Sequence, residues 1–146
     1  LVIVQNAVNA LASWVIGNIA DRWGNRIVLR ALIFIGAFVP LLAVGISRLP
    51  MGAHFYWLVY AFLGFTPVSN RIVVNYTLEI SPQEKHPQYL GVMSVLQAVP
   101  LCGSPLLGLL INQFSFEPVF IASAVLVFWA GLLTFRLNEP RFTPAA

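Results

Sequence analysis

The chain has 146 residues, of which 59% are hydrophobic and only 9% are charged, and its mean hydropathy is +0.84. Soluble domains carry about 25% charged residues because their surfaces must be solvated, so this composition argues against a soluble globular fold and against disorder. The net charge of +3 does not indicate nucleic-acid binding, since the basic residues lie at the ends of apolar segments. The single cysteine, Cys102, excludes a disulfide scaffold.

Five long stretches carry no Asp, Glu, Lys or Arg, and each is long enough for a helix that crosses the hydrocarbon core. The sequence therefore predicts an all-α, polytopic transmembrane helix bundle of five spans, joined by short loops that make consecutive helices antiparallel. The predicted spans cover residues 1–20, 27–47, 54–76, 89–112 and 117–136.

The start of the chain also carries information. Leu1 lies inside an apolar stretch that has neither the basic region nor the cleavage site of a signal peptide. We interpret the chain as a fragment whose N-terminal part is missing.

The basic residues predict how the bundle is oriented. Six of them fall on one side of the membrane, and Arg48 alone falls on the other. Because cytoplasmic loops carry an excess of Lys and Arg, we expect the 21–26 loop, the 77–88 loop and the C-terminus in the cytoplasm. The six residues are Arg22, Arg26, Arg30, Lys85, Arg136 and Arg141.

The five spans differ in polarity. Spans two and five have almost no polar side chains in their middles, which predicts that they face lipid, whereas the other three carry amides and hydroxyls. Polar groups have no water partner in lipid, so they either join helices by hydrogen bonds or line a shared polar cavity. Phe34, Phe38, Phe128 and Trp129 are expected to face lipid or the outer packing seam. The candidate path residues are Asn9, Ser13, Asn70, Arg71, Ser94 and Gln97.

Prolines and small residues mark irregular helices. Pro40, Pro67, Pro100 and Pro105 lie within spans, and each removes a backbone hydrogen bond and favours a kink. Ser104 and Gly108 form a small-xxx-small pair in span four. This pair predicts either a close helix approach or a bending point.

The strongest local motif bridges the first two spans on the predicted cytoplasmic side. Gly24 allows a tight turn, and Asp21 places a carboxylate at the membrane surface. Taken alone, the segment is also compatible with an ordinary charged turn. It reads Gly17-Asn18-Ile19-Ala20-Asp21-Arg22-Trp23-Gly24-Asn25-Arg26.

This segment resembles the Gly-x-x-x-Asp-Arg-x-Gly-basic-basic loop of the major facilitator superfamily of transporters. Asn25 departs from that pattern, because a basic residue is common at its position. Residues 76–82 and 89–94 look like the family's connection between helices 10 and 11, and residues 136–141, with Glu139, resemble the tails after helix 12.

The resemblance implies that residues 1–146 form an incomplete C-terminal half-domain, helices 8 to 12 of a twelve-helix transporter. The alternative register is helices 2 to 6. The implied partners are a small-molecule substrate of unknown class, the lipid bilayer and the missing transporter half, helices 1 to 7. We expect an integral protein of the cell (inner or plasma) membrane with a cytoplasmic C-terminus.

The function expected from the resemblance is secondary transport of a small solute by alternating access. The alternative is a non-transporting helper subunit or an inert truncated product. An enzyme is disfavoured, and no cofactor or metal is expected, because His54 and His86 fall at opposite membrane faces and no metal-ligand spacing occurs. A charge cluster of Asp21, Arg26 and Glu79 is expected to close the cytoplasmic side, unless it merely anchors the loop. The full set of gating residues is Gly17, Asp21, Arg22, Gly24, Arg26 and Glu79.

Overall fold

The computed structural model describes residues 1–137, and all of their regular structure is helical. Five segments within these residues are long and apolar enough to cross a membrane, which confirms the predicted five-span, all-α architecture. The predicted tail residues Glu139 and Arg141 lie outside the described residues. The helices are α1 (Val2–Trp23), α2 (Asn25–Ser47), α3 (Gly52–Leu63), α4 (Thr66–Ile80), α5 (His86–Phe114) and α6 (Phe116–Leu133), with 3-10 turns at Gln83–Lys85 and Thr134–Arg136.

The third predicted span consists of two helices rather than one. α3 ends at Leu63, and α4 begins at Thr66 with Pro67 in its first turn. Proline is tolerated in the first turn of a helix, but in a continuous helix its ring would clash with the carbonyl group four residues earlier. That carbonyl belongs to Leu63, so the kink predicted at Pro67 takes the form of a break just before α4.

Gly64 lies at this break and is buried against α1. A Cβ atom at position 64 would lie 2.7 Å from the carbonyl oxygen of Gln5 and 2.9 Å from the Cβ of Val8. Both distances are shorter than van der Waals contact. Glycine at this position therefore permits the close approach of α1 to the α3–α4 break.

The main core lies where α1, α2 and α4 meet, and it holds the first two helices of the chain against α4. Side chains from all three helices interdigitate there, and packing of this kind is the main source of helix association in lipid. The buried members are Ala12, Ile16, Ala20, Val28, Leu29, Leu32, Val68, Ile72 and Tyr76.

α2 is more central than its apolar sequence predicted. Eight of its residues are buried, and it contacts α1, α3, α4 and α6. The prediction that span two faces lipid describes only part of the helix, because eight of its 23 residues are buried within the described bundle. One stripe of α2, which includes Phe38 and Leu41, remains exposed.

α6 packs along α2 through aromatic side chains. The rings of Phe34 and Phe128 meet edge to face with centroids 5.3 Å apart. A Cβ atom at Gly131 would lie 3.0 Å from the Phe34 ring, so the glycine makes room for this ring. Of the four side chains expected at lipid or at the outer seam, Phe34 and Phe128 form the seam, and Phe38 and Trp129 are exposed.

α5 is the least enclosed helix, since none of its residues is buried. It packs mainly against α4 and α6. No atom of the described residues lies within 4 Å of a Cβ built at Gly103 or Gly108. Within residues 1–137, the small-residue stretch of α5 therefore has no helix pressed closely against it.

Candidate functional site

A first group of polar side chains joins α1 to α4. Ser13 donates its Oγ hydrogen to the backbone carbonyl of Asn9, one turn earlier, at 2.7 Å. Arg71 of α4 donates from Nη1 to the Oγ of Ser13 at 3.3 Å. The spacing of four residues between Asn9 and Ser13 puts them on one helix face, and Arg71 approaches that face from the neighbouring helix.

A second group joins α4 to α5. Gln97 donates from Nε2 to the Oδ1 of Asn70 at 3.3 Å. Ser94, one turn before the level of Gln97, donates instead to the backbone carbonyl of Leu90 in its own helix at 2.8 Å. Because Asn70 directly precedes Arg71, the two groups are neighbours along α4. Hydrogen bonds thus join candidate path residues of α1 to α4 and of α4 to α5. These side chains, together with Ser94, are called the polar surface of α1, α4 and α5.

This polar surface is open rather than enclosed. Asn70, Arg71, Ser94 and Gln97 are all exposed, although each lies in a membrane-length segment. A guanidinium group at the centre of a span costs about 2.5–3.5 kcal/mol on insertion scales, so exposed polar groups here need partners, which water, a solute or another helix can supply. The amides can donate and accept hydrogen bonds, and the arginine can bind an anionic or acceptor-bearing group.

The loop between α1 and α2 is a single-residue connection at Gly24. Gly24 has a φ of 90°, in the region that favours glycine, and its N–H donates to the carbonyl of Ala20 at 2.9 Å. A residue with a side chain would be strained in this conformation. The glycine therefore sets the antiparallel return of α2 against α1.

The side chain of Asn25, at the start of α2, forms a hydrogen bond to Glu79 of α4. Asn25 is only 3% exposed and donates from Nδ2 to the Oε1 of Glu79 at 2.7 Å. Asp21 and Glu79 share a pocket of about 270 Å³ between α1 and α4. The pocket is lined by Gly17, Ala20, Asp21, Asn25, Ile72, Asn75, Leu78 and Glu79.

The arginines at the start of α2 reach the far end of α6. Arg26 donates from Nη1 to the carbonyl of Leu137 at 2.8 Å, and Arg30 donates from Nη2 to the carbonyl of Thr134 at 3.3 Å. The guanidinium of Arg30 also lies 3.8 Å from the centroid of the Phe135 ring. Both arginines therefore bind carbonyls of the segment that follows α6, at the helix end where a positive charge is favourable.

Sequence reasoning missed the roles of Asn25 and Arg30. For Asn25 the available signal was its departure from the family pattern, in which a basic residue is common at this position. For Arg30 the signal was its position one turn after Arg26, on the same face of α2. Arg22, predicted as a gating residue, is exposed in the last turn of α1.

At the opposite end of the bundle, an ion pair joins α2 to α6. Arg48 donates from Nη2 to the Oε2 of Glu117 at 2.7 Å and from Nε to its Oε1 at 3.3 Å. This hydrogen bonding, and the negative charge of Glu117, raise the pKa of Arg48. Because the pair is solvent-exposed, it orients the α5–α6 turn more than it stabilises the bundle.

Among residues 1–137, no three His, Cys, Asp or Glu side chains form a group that could hold a metal ion. Cys102 is exposed on α5. A ring nitrogen of His86 lies 3.1 Å from the carbonyl oxygen of Ser81, so this histidine contacts the start of the loop before α5.

Comparison with known families agrees with this arrangement of helices and loop. The profile described as Major Facilitator Superfamily matches residues 1–145. The chain belongs to the major facilitator superfamily. With five helices of membrane-spanning length and composition, this superfamily member is an integral membrane protein.

Relatives of this superfamily member include named resistance proteins. The tetracycline resistance protein, class C, of Escherichia coli is 28% identical over 80% of the chain and 28% of its own length. The multi-drug resistance efflux pump PmrA of Streptococcus pneumoniae serotype 4 is 27% identical over 94% of the chain and 34% of its own length. The multidrug resistance protein MdtG of Citrobacter koseri is 29% identical over 94% of the chain and 33% of its own length.

The chain thus spans about a third of the length of the curated relatives it matches. No solved structure matches it significantly.

Proposed function

We propose that the chain is part of a secondary transporter that moves a small organic solute across the cell membrane by alternating access. The observation that carries this proposal is the exposed polar surface shared by α1, α4 and α5. The Arg71–Ser13 and Gln97–Asn70 hydrogen bonds join these helices into one surface that a solute can contact. A hydrogen bond that only holds helices together in lipid is expected to have its polar groups buried, whereas the polar groups of these two are exposed.

The chain corresponds in this proposal to helices 8 to 12, with helices 1 to 7 supplied by another part of the protein. The open faces of α5 support it, because a helix with no buried residue needs further partners to complete a bundle. The packing of α2 on α6 suits two outer helices in this register, and it suits the alternative register of helices 2 to 6 equally well.

The proposed substrate is an amphipathic organic compound of antibiotic type, moved outward. The names of three relatives refer to tetracycline resistance or multidrug resistance. In this chain, the guanidinium of Arg71 would meet an acceptor group of the solute, and the amides of Asn70 and Gln97 would form neutral hydrogen bonds.

The loop around Gly24 is proposed as the cytoplasmic gate. Asp21 and Glu79 line one pocket beside Asn25, so a change at Asp21 alters the charge where α1, α2 and α4 meet. In the full-length transporter, Asp21→Asn should slow transport at normal membrane abundance and shift the population toward inward-facing states. Unchanged transport would leave Asp21 only the role of anchoring the loop.

Transport is tested with the full-length protein in cells that lack their own efflux pumps, by the intracellular accumulation of tetracycline and of a fluorescent cationic dye. We expect the wild-type protein to lower accumulation of at least one probe and Arg71→Gln to restore it. Arg48→Gln is the matched control, because it removes an exposed arginine at the opposite end of the bundle. Accumulation equal to that of empty cells, at normal abundance, would favour the non-transporting helper subunit.

A further inference from the structure

An apolar groove runs between α2 and α6, on helices that contribute nothing to the candidate path. Its volume is about 370 Å³, within the range of ligand sites, and its lining is almost entirely hydrocarbon. The lining residues are Phe34, Ala37, Phe38 and Leu41 of α2 and Ala124, Val125 and Phe128 of α6. Since both helices have membrane-spanning length, the groove opens at the level of the lipid tails.

One end of the groove is marked by a positive charge. Arg30 precedes Phe34 by one helical turn, and the spacing of Arg30, Phe34, Phe38 and Leu41 places them along one face of α2. The guanidinium of Arg30 is held over the ring of Phe135, 3.8 Å from its centroid. The arginine is thereby fixed at the mouth of the groove instead of extending freely into solvent.

Arg30 and the groove beyond it together span the depth of one lipid leaflet. From Arg30 to Leu41, α2 rises about 16 Å at 1.5 Å per residue. Half of a hydrocarbon core of about 30 Å is about 15 Å. With Arg30 at headgroup level, the far end of the groove therefore lies near the bilayer midplane.

We propose that this groove binds one anionic phospholipid, with an acyl chain along the α2–α6 seam and the headgroup phosphate at Arg30. The carbonyl of Thr134 accepts one N–H from Nη2, and Nε is buried, so the remaining Nη hydrogens are the donors that can meet phosphate oxygens. Arg136 follows Phe135 directly, is exposed, and adds a second positive charge at this end. Two positive charges beside an apolar groove favour an anionic headgroup over a zwitterionic one.

Native mass spectrometry of the chain in detergent micelles tests the headgroup. The micelles contain equal amounts of phosphatidylglycerol and phosphatidylcholine with identical tails, and circular dichroism confirms folding of each variant. We expect wild type to retain phosphatidylglycerol preferentially, and Arg30→Gln to reduce this preference about fivefold, the effect of one arginine near a lipid surface. Arg30→Lys keeps the positive charge and should retain most of the preference for phosphatidylglycerol. Arg22→Gln is the control outside the groove. If both glutamine variants lose the preference for phosphatidylglycerol equally, the preference comes from nonspecific surface charge and the proposal is overturned.

A second pair of variants tests the groove itself. Val125 lines the groove and is 60% exposed, whereas its neighbour Leu126 is 71% exposed and lies outside the lining. Val125→Trp should fill the groove and lower the retention of both lipids, while Leu126→Trp should leave retention as in wild type. If the two tryptophan variants retain lipid equally, the groove is an ordinary lipid-facing surface and the proposal fails.

Discussion

Asn25 joins the start of α2 to α4 through a buried side chain. It is almost fully buried and donates a neutral hydrogen bond of 2.7 Å to the carboxylate of Glu79. An amide forms a hydrogen bond to one carboxylate oxygen, whereas a basic side chain at this position would also add a positive charge. Asn25 therefore contributes a contact to the pocket that contains Asp21 and Glu79 without adding a charge of its own.

Replacement of Asn25 by leucine should destabilise the bundle. The variant removes the amide donor, and hydrogen bonds to charged groups contribute about 1.5–3 kcal/mol. We expect a lower midpoint of thermal unfolding in detergent, followed by tryptophan fluorescence. Asn18→Leu, an exposed asparagine in α1, is the matched control and should change the midpoint little. Equal midpoints for the two variants would show that the hydrogen bond to Glu79 carries no stability.

The break between α3 and α4 combines two local rules. Pro67 cannot continue a helix whose carbonyl at Leu63 it would meet, so α3 ends at Leu63. Gly64 has no side chain, and this lets α1 approach more closely than any other residue would permit. The break lies one turn before Asn70 and Arg71. The start of α4, and with it the position of both polar side chains, therefore depends on the packing of α1 at Gly64.

Gly64→Ala should be more destabilising than an alanine substitution elsewhere. Its new Cβ would lie 2.7 Å from the backbone oxygen of Gln5, and overpacking of this kind costs about 1–3 kcal/mol. Gly36→Ala in α2 is the matched control, because nothing lies within 4 Å of its Cβ and alanine favours the helix. We expect a lower unfolding midpoint for the first variant and an equal or higher one for the second. The reverse order would contradict the close approach.

The helices were predictable from the sequence to different degrees. Five spans follow from composition averaged over about 20 residues, which depends little on neighbouring helices. The break at Gly64 was predicted only as a kink. A proline shows where a helix is interrupted, but not whether the helix bends there or ends. The central position of α2 was not predictable, since an apolar sequence tolerates lipid and protein neighbours equally well.

Part of the candidate site was also predictable from the sequence, and part was not. The polar set on α1, α4 and α5 was identifiable, because amides and an arginine are rare in lipid-facing positions. The Asn25–Glu79 hydrogen bond joins residues 54 positions apart, and the capping of Thr134 by Arg30 joins residues 104 apart. Contacts of that separation depend on how helices pack, which residue periodicity does not specify.

The molecule as a whole has two contrasting sides. α1, α4 and α5 present exposed amides and Arg71, whereas α2 and α6 meet in an aromatic seam beside an apolar groove. Arg26 and Arg30 lie at one end of the bundle, and the Arg48–Glu117 pair lies at the other. We propose that the first end is cytoplasmic, because it carries most of the basic residues.

The proposed orientation can be tested in whole cells. In a Cys102→Ala background, Arg48→Cys should react with a membrane-impermeant thiol reagent added outside, and a reporter fused after Arg141 should be active in the cytoplasm. The physical reason is the excess of Lys and Arg on that side. Labelling of position 48 only after the cells are opened would reverse the orientation.

The central claim is that the polar surface of α1, α4 and α5 is a solute path, and thiol accessibility in the full-length protein tests it most directly. In the Cys102→Ala background, single cysteines replace Ser13, Asn70 or Gln97 of the polar surface. Cysteines at Phe38 and Phe128, which are about half exposed in the structure, are the controls. We predict that a small water-soluble thiol reagent modifies the first three positions rapidly and that a transported solute slows their modification. Phe38 and Phe128 should react slowly with or without solute. Equal reaction rates at both sets of positions, with no protection by solute, would contradict the claim.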